Sequence, residues 1–568
     1  MPTFPACLRS ATSSALRSDE PKPDMLRDIA TLPRFLIDWI TPNILDFRRN
    51  RQHWVWGISI IVGILVAGGA IIFRLSIGWI QLVWLGKNHE RIASFAAALP
   101  PWLVVLAPAL GGLVVGLMIQ NLMPGRRAEG VADVIEAQAL GLSRLTLQKG
   151  VTSSLISAIS IGAGASVGRE GPIVHLGASL SAALGRWFDL PGAARRTILG
   201  AGVAAAVSAS FNAPIAGAIF AHEIILGHYA LSAFVPITLS SVIAAVIARG
   251  YFGDFPAFVI PHYQITSYWE VPAFALLGLT CAAVAILFQF ALMGADHVAR
   301  RISIPLWLRP VIGGAAVGVI AIAFPQVLGV GYEATSRALN GFMPLNLLLV
   351  LIVLKTLATA ICLASRFGGG VFSPALYIGA MTGGAFGLMA ASVFPHLASS
   401  EGLYTILGMG AVAAAVLGAP FSTTLIVFEL TGGFALSLAL LVSVAISTGL
   451  TQAIHGRSFF QWQLETRGLF LREGPHKRLV RTIRVRDFLL ELGEDETPDP
   501  VPPEQRETAL TPFDTLEKAL RHFDTTGRSR LPVVDPQDHA KVIGWAPRVQ
   551  ALAAYNAALI ETSVEEHR

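Results

Sequence analysis

Two short segments of this chain carry residues that could do chemistry. Gly168-Arg169-Glu170-Gly171-Pro172 sets a carboxylate inside a long apolar stretch, and Gly368-Gly369-Gly370-Val371-Phe372-Ser373-Pro374 repeats the glycine and proline punctuation later in the chain. An ionisable side chain at membrane depth is costly and marks function by default. Proline has no amide hydrogen to lose in a first helical turn, and glycine lets the remaining amides turn toward one point. A helix N-terminus of this kind binds an anion through free N–H groups and the positive end of the dipole, so a halide can be held and still released. Glu170 is then a tethered anion that competes for the same place, and protonation would neutralise and release it. The alternative is a pair of helix caps in a tightly packed bundle.

The elements that must position these segments are membrane helices. Of 568 residues 53% are hydrophobic and 14% charged, and the mean hydropathy is +0.60, which describes a polytopic membrane protein. Glu223 is the only charged residue from Ile198 to Ala248, and Glu401 and Glu429 are the only ones from Phe367 to Gly456. These spans hold several crossings each. The net charge of +5 does not point to nucleic acid, because much of it lies before Trp54 and after Arg457. Both flanks read as cytoplasmic by the positive-inside rule, and the expected location is a bacterial inner membrane, as a multi-pass protein with both termini cytoplasmic. Cys7, Cys281 and Cys362 are too scattered for a disulfide framework or a thiolate metal site. Residues 1–53 read as a polar cytoplasmic arm with an interfacial helix around Arg34 to Phe47, without the apolar run of a secretory signal.

Internal comparison shows a repeat. Ala204-Ala205-Ala206-Val207, Phe211-Asn212-Ala213-Pro214 and Glu223 recur as Ala413-Ala414-Ala415-Val416, Ala419-Pro420 and Glu429, with Pro214 and Glu223 offset by about 206, while Gly171-Pro172 matches Ser373-Pro374 at about 202. Transporters built from two such halves bind their substrate near the midplane, where broken helices from both halves meet.

On these residues the sequence resembles the CLC family of chloride channels and chloride/proton antiporters. GREGP at 168–172 and GVFSP at 370–374 fit its GK/REGP and GxFxP signatures, with FNAP at 211–214 and Glu429-Leu430-Thr431 as flanking helices. The resemblance covers about Trp54 to Phe470, so residues 54–470 are expected to form the transport domain. It implies an all-α membrane fold of two inverted repeats of short tilted helices, in a homodimer with one pore per subunit for chloride and similar monovalent anions. It also implies that Glu170 is the gating and proton-carrying glutamate and that the amides of Val371 and Phe372 face the central anion. Gly168, Gly171 and Gly370 belong to the same anion path, and Arg169 is a helix-end or vestibule charge beside it.

Three positions depart from the family pattern. The first signature supplies a serine to the anion, but here the stretch is Ala128-Glu129-Gly130-Val131-Ala132. A carboxylate at Glu129 would repel a halide; either it points to the vestibule, paired with Arg126 or Arg127, or it acts directly in ion coupling. Gly130 and Val131 amides would then hold the anion. The family's central tyrosine falls on Phe460, which narrows the inner mouth without a hydroxyl. The inner proton-transfer glutamate falls on Ile224, which carries no proton. Glu223 beside it points elsewhere on the helix and reads as a structural acid at a helix end, leaving Glu223, His222 or water as inner proton routes.

Beyond Arg457 charges return. Residues 471–510 read as a linker containing a Pro- and acid-rich run, and 511–568 resemble a single small α/β CBS-like cytoplasmic module. Its leading strand and helix fall at Val480 to Leu489, an amphipathic helix at Thr515 to Phe523, strands at Ser529 to Val534 and Val542 to Trp545, and then a final helix. Pro547 and Gln550 replace the residues that usually hold a nucleotide, so the tail reads as a dimer-stabilising element. The chain is expected to be a transporter, not an enzyme, with no cofactor and no metal. Chloride/proton exchange is favoured over a passive chloride channel; a fluoride exporter and a membrane-bound hydrolase using Glu223 with His222 or His228 are lesser alternatives.

Overall fold

The computed structural model describes residues 52–87, 91–140, 142–253, 268–395, 399–431, 436–470, 483–492, 508–538 and 540–567, with isolated positions between them. The expected interfacial helix at 34–47 and most of the linker lie outside the described residues. Helices of the first half are α1 Gln52–Leu85, α2 Ile92–Ala96, α3 Pro101–Leu122, α4 Val131–Leu140, α5 Leu147–Gly162, α6 Glu170–Trp187, α7 Gly192–Phe211, α8 Pro214–Phe220 and α9 Leu231–Phe252. The second half comprises α10 Val271–Arg301, α11 Arg309–Ala323, α12 Tyr332–Leu339, α13 Leu345–Ala364, α14 Phe372–Val393, α15 Glu401–Leu417, α16 Pro420–Thr431, α17 Ser437–Ile454 and α18 Phe459–Glu465. From α3 to α9 each helix has a counterpart from α11 to α17. Seven helices among the described residues are long and apolar enough to cross a membrane, and others such as α11 and α15 are apolar but shorter.

Lipid gives helices no hydrophobic reason to associate, so close backbone approach must hold them together. Glycines provide it in repeat-related pairs. A Cβ on Gly177 of α6 would lie 2.5 Å from the Gly202 carbonyl of α7, and one on Gly379 of α14 would lie 2.4 Å from the Gly408 carbonyl of α15. The halves meet through α3 and α11, where a Cβ on Gly112 would fall 2.2 Å from the Pro310 carbonyl and one on Gly314 2.2 Å from the Pro108 carbonyl.

The repeated acids bind the halves reciprocally. Glu223, in the π-helical turn that continues α8, accepts the amides of Phe421 (3.1 Å) and Ser422 (2.8 Å) and the Ser422 hydroxyl (2.7 Å) at the start of α16. Glu429, near the end of α16, accepts the amides of Ile215 (3.1 Å) and Ala216 (2.8 Å) at the start of α8. Each acid neutralises the positive end of its counterpart's helix and satisfies donors left without an intrahelical acceptor.

The tail is a three-stranded antiparallel sheet in the order β1-β3-β2, from β1 Leu490–Glu491, β2 Arg530–Val534 and β3 Val542–Pro547. Helix α19 Leu516–Thr526 and helix α20 Arg548–His567 accompany it. Thr515 caps α19 by accepting the Lys518 amide, Gly527 ends it in the left-handed conformation, and Leu516, Ala519 and Phe523 enter a core with Leu531, Val533 and Ala546. In the expected leading segment, Val480 to Leu489, the described residues form a 3-10 turn at Val485–Asp487 and an isolated bridge from Arg484 to Thr515, and the strand Leu490–Glu491 follows that segment.

Glu223→Ala and Glu429→Ala should each destabilise the protein by about 0.5–2 kcal/mol, the cost of removing the cap from part-buried amides at a helix start. Thermal unfolding in detergent should show both midpoints lowered by similar amounts, and a midpoint equal to the parent's in either variant would refute the capping role.

Candidate anion pathway

A helix interrupted inside a bilayer leaves amides and carbonyls that hydrocarbon cannot satisfy. The breaks before α6 and α14 satisfy one another. Gly168 donates its amide to the Gly370 carbonyl (2.7 Å) and Gly370 donates back to the Gly168 carbonyl (2.8 Å), an isolated antiparallel bridge. Gly368 donates to the Ser160 hydroxyl of α5 (3.0 Å). Gly369 has φ +157 and backs onto Val167, where a Cβ would lie 2.3 Å from a side-chain methyl. The run of three glycines thus fits one crossing of backbones.

The bridge brings the starts of α6 and α14 together. Glu170, buried, is the first residue of α6, and its Oε1 accepts the Ser373 hydroxyl at the start of α14. The Ser373 amide faces the same carboxylate. Any Cβ at position 168 would stand 2.6 Å from Glu170 Oε2, so glycine there makes room for the carboxylate. Pro172 and Pro374 are third in their helices, within the first turn where an amide would have no acceptor.

Two cavities, each of about 420 Å³, reach this junction. Glu170, Gly171, Gly130, Val131, Gly370, Val371, Phe372 and Phe460 line the first, together with Glu129 and the charged side chains Arg127, Asp133, Asp296, Arg300, Arg366 and Arg467. Arg169, Arg74, Gln81 and Tyr332 line the second. Arg169 packs its guanidinium 4.7 Å from the Tyr332 ring centre and donates to the Ser210 carbonyl (3.3 Å). Neighbouring residues Arg169 and Glu170 therefore belong to different cavities, and Gly370 of the glycine bridge lines the first.

The expected anion donors sort into two groups. The amides of Gly168 and Gly370 are consumed by their mutual bridge, and the Gly130 amide donates to Asp133 Oδ2 (2.8 Å). These three cannot also hold an anion. Gly171, Phe372 and Val131 lie in the first turns of α6, α14 and α4, where amides have no intrahelical acceptor, and Val371 caps α14. Phe460 presents a ring to the cavity against Phe459, their centres 6.1 Å apart.

Glu129 is not paired with Arg126 or Arg127. Arg127 is committed to Asp133 (Nη1–Oδ2 2.9 Å), which Arg467 also holds (2.9 Å), while Glu129 lies 3.1 Å from His175 Nε2 and 3.4 Å from Lys149 Nζ. Among His222, Glu223 and Ile224, none lines either cavity. His222 stacks on Tyr229 and Phe234 and places Nδ1 3.1 Å from the His228 carbonyl; Glu223 is occupied by α16; and Ile224 is half-buried in the π-helical turn.

Sequence reasoning passed over His175, Lys149, Asp133 and Ser373 as site residues, although Ser373 stood within the quoted motif. It also passed over Lys355, a lone cation in the apolar α13, buried where it donates to the carbonyls of Val327 (3.0 Å) and Gly329 (2.8 Å) and lies 5.0 Å from the Tyr377 ring centre on α14. Its solitary charge in a spanning helix was the available signal.

Comparison with known proteins agrees with this architecture. A family model for the voltage gated chloride channel matches residues 111–452. The ClcB-like chloride channel protein of Ralstonia nicotianae is 33% identical over 390 residues, covering 67% of this chain and 91% of its own. The H(+)/Cl(-) exchange transporter ClcA of Cronobacter sakazakii is 28% identical, with 71% of this chain and 87% of that protein covered. Among solved structures, a slow cyanobacterial Cl-/H+ antiporter superposes with a TM-score of 0.65 at 22% identity, over 74% of this chain and 99% of that one. The chain belongs to the voltage gated chloride channel family, the CLC proteins.

Proposed function

We propose that this protein exchanges chloride for protons across a bacterial inner membrane, through one pathway in each subunit of a homodimer, with Glu170 as the gate. The observation that carries this reading is the docking of the Glu170 carboxylate on the Ser373 hydroxyl at the N-terminus of α14. A carboxylate and a halide compete for the same donors and the same helix dipole, so only one occupies the site. Protonation removes the charge that holds the side chain there, and its departure admits an anion. Chloride then meets the amides of Val371, Phe372 and Gly171, while the proton leaves with the displaced carboxyl. The guanidiniums lining the first cavity raise local anion concentration. The arginine-rich flanks support cytoplasmic termini, and the tail, a CBS-like module, stabilises the dimer.

A passive chloride channel is the second reading, favoured by the engagement of Glu223 with α16 and by isoleucine at position 224. Neither supplies an inner proton acceptor. One assay separates the readings: in liposomes a chloride gradient should drive protons uphill for an exchanger and should not for a channel.

Glu170→Gln keeps the shape of the side chain and removes its titration. Anion flux should persist without dependence on external pH, and coupled proton movement should vanish; retained coupling would remove Glu170 from the proton path. Gly168→Ala tests the docking geometry, because the added methyl intrudes on the carboxylate. Its chloride flux should respond less steeply to external pH than the parent's, measured side by side in the same liposomes.

A further inference from the structure

The residue at position 129 poses a physical problem, since a carboxylate facing an anion cavity repels what the cavity is meant to hold. Its surroundings are specific. Glu129 precedes α4 and lines the first cavity together with Glu170. Its amide is fixed to the Ser153 hydroxyl of α5 (3.0 Å), its Oε2 lies 3.1 Å from His175 Nε2, and its Oε1 lies 3.4 Å from Lys149 Nζ. His175 stands on α6, the helix that Glu170 begins, and its side chain is fully buried. Its Nδ1 has no hydrogen-bond partner among the described residues, and Nε2 meets Glu129 at ion-pairing distance without an aligned hydrogen bond.

From this arrangement we infer that Glu129 and His175 form the proton-accepting pair of the first cavity, delivering protons to Glu170 by a route that uses neither Glu223 nor His222. The inference rests on the exchange reading. A proton from cavity water binds the pair, shared between the carboxylate and the imidazole. It then passes through cavity water to the ionised Glu170 carboxylate, leaving Glu129 ionised and His175 neutral for the next cycle. With the imidazole neutral, Lys149 offsets the charge of Glu129. Uptake of a proton leaves one net positive charge beside the cavity, so the loaded relay attracts an anion and does not repel it.

Other charges near the pair are accounted for. Asp133 and Glu136 of α4 are engaged by Arg127, Arg144 and Arg467. Arg195 of α7, which packs on α6, lies beside Gly185, ten residues beyond His175, and next to it is Arg196. Helix α14 contributes no charged residue, and the remaining charged cavity residues, Asp296, Arg300 and Arg366, come from α10 and the loop after α13. Glu129, on the cavity wall that also carries Glu170, thus forms a distinct cluster with His175 and Lys149, which do not themselves line the cavity.

The test measures the ratio of protons to chloride moved in liposomes by the full-length parent, by Glu129→Gln and by His175→Gln. Loss of a proton-transfer group should lower this ratio by at least about tenfold in both variants, while chloride efflux continues and in Glu129→Gln becomes faster, because a repelling charge is gone. A merely structural pair would lower both fluxes together and leave the ratio at the parent value, which overturns the relay and leaves exchange standing. A parent that moves no protons overturns the relay together with exchange. Should one substitution prevent folding, the other reads the same ratio.

Discussion

Breaking a helix inside hydrocarbon strands backbone groups that have no water to turn to, and the central architecture follows from how this chain meets that cost. Each unsatisfied group costs several kcal/mol in lipid, so a broken helix persists only beside something that completes it. Here the complement to one break is the other. The paired amides and carbonyls of Gly168 and Gly370 close the deficit, and glycine at both positions eases the crossing, because a Cβ on either would lie 3.1 Å from the facing backbone. Once they cross, the starts of α6 and α14 must lie side by side. Their first-turn amides, together with the Ser373 hydroxyl, are what remains to face a ligand.

The same reciprocity recurs away from the junction. Glu223 serves the helix that carries Glu429, and Glu429 serves the helix that continues to Glu223. Gly112 and Gly314 likewise approach each other's helices. A two-fold relation between halves makes each contact occur twice, and each half must specify its copy with its own residues. This places severe limits on substitution. It also leaves the ligand site as the place where the symmetry breaks, because Glu170 has Phe372 as its counterpart at the other helix start.

Much of this was legible in the sequence because it was local or periodic. Gly/Pro clusters at repeat offsets located both breaks, the charge-free runs located the membrane helices, and Thr515 followed by Leu516, Ala519 and Phe523 announced the tail helix. What stayed illegible depended on partners far along the chain. Nothing near Gly168 indicates that its amide is taken by Gly370, and nothing near Gly130 separates an amide offered to a ligand from one turned to Asp133. For Glu129 the adjacent arginines were the obvious partners in sequence. Asp133, one helical turn onward, captures Arg127 first, and Glu129 turns instead to residues on α5 and α6. The leading segment of the tail was misjudged for a related reason: Val485 and Phe488 are buried at apolar spacing, but they pack from a 3-10 turn, which a short apolar pattern cannot distinguish from a helix.

The arrangement of charge around the junction bears on how one carboxylate can govern an anion path. Arg169 adjoins Glu170 in sequence and acts on it through its charge, while its guanidinium packs on Tyr332 in the wall of the second cavity. At the start of α14 Glu170 meets the Ser373 hydroxyl, the Ser373 amide and a helix dipole, interactions of the strength that a halide can match and that a proton can cancel. The first cavity sets arginines among its carboxylates, several already engaged, which favours entry of an anion without trapping it. A gate of this kind needs weak, matched competitors. The dipolar junction supplies them because the Gly168 and Gly370 amides are already spent on each other's carbonyls.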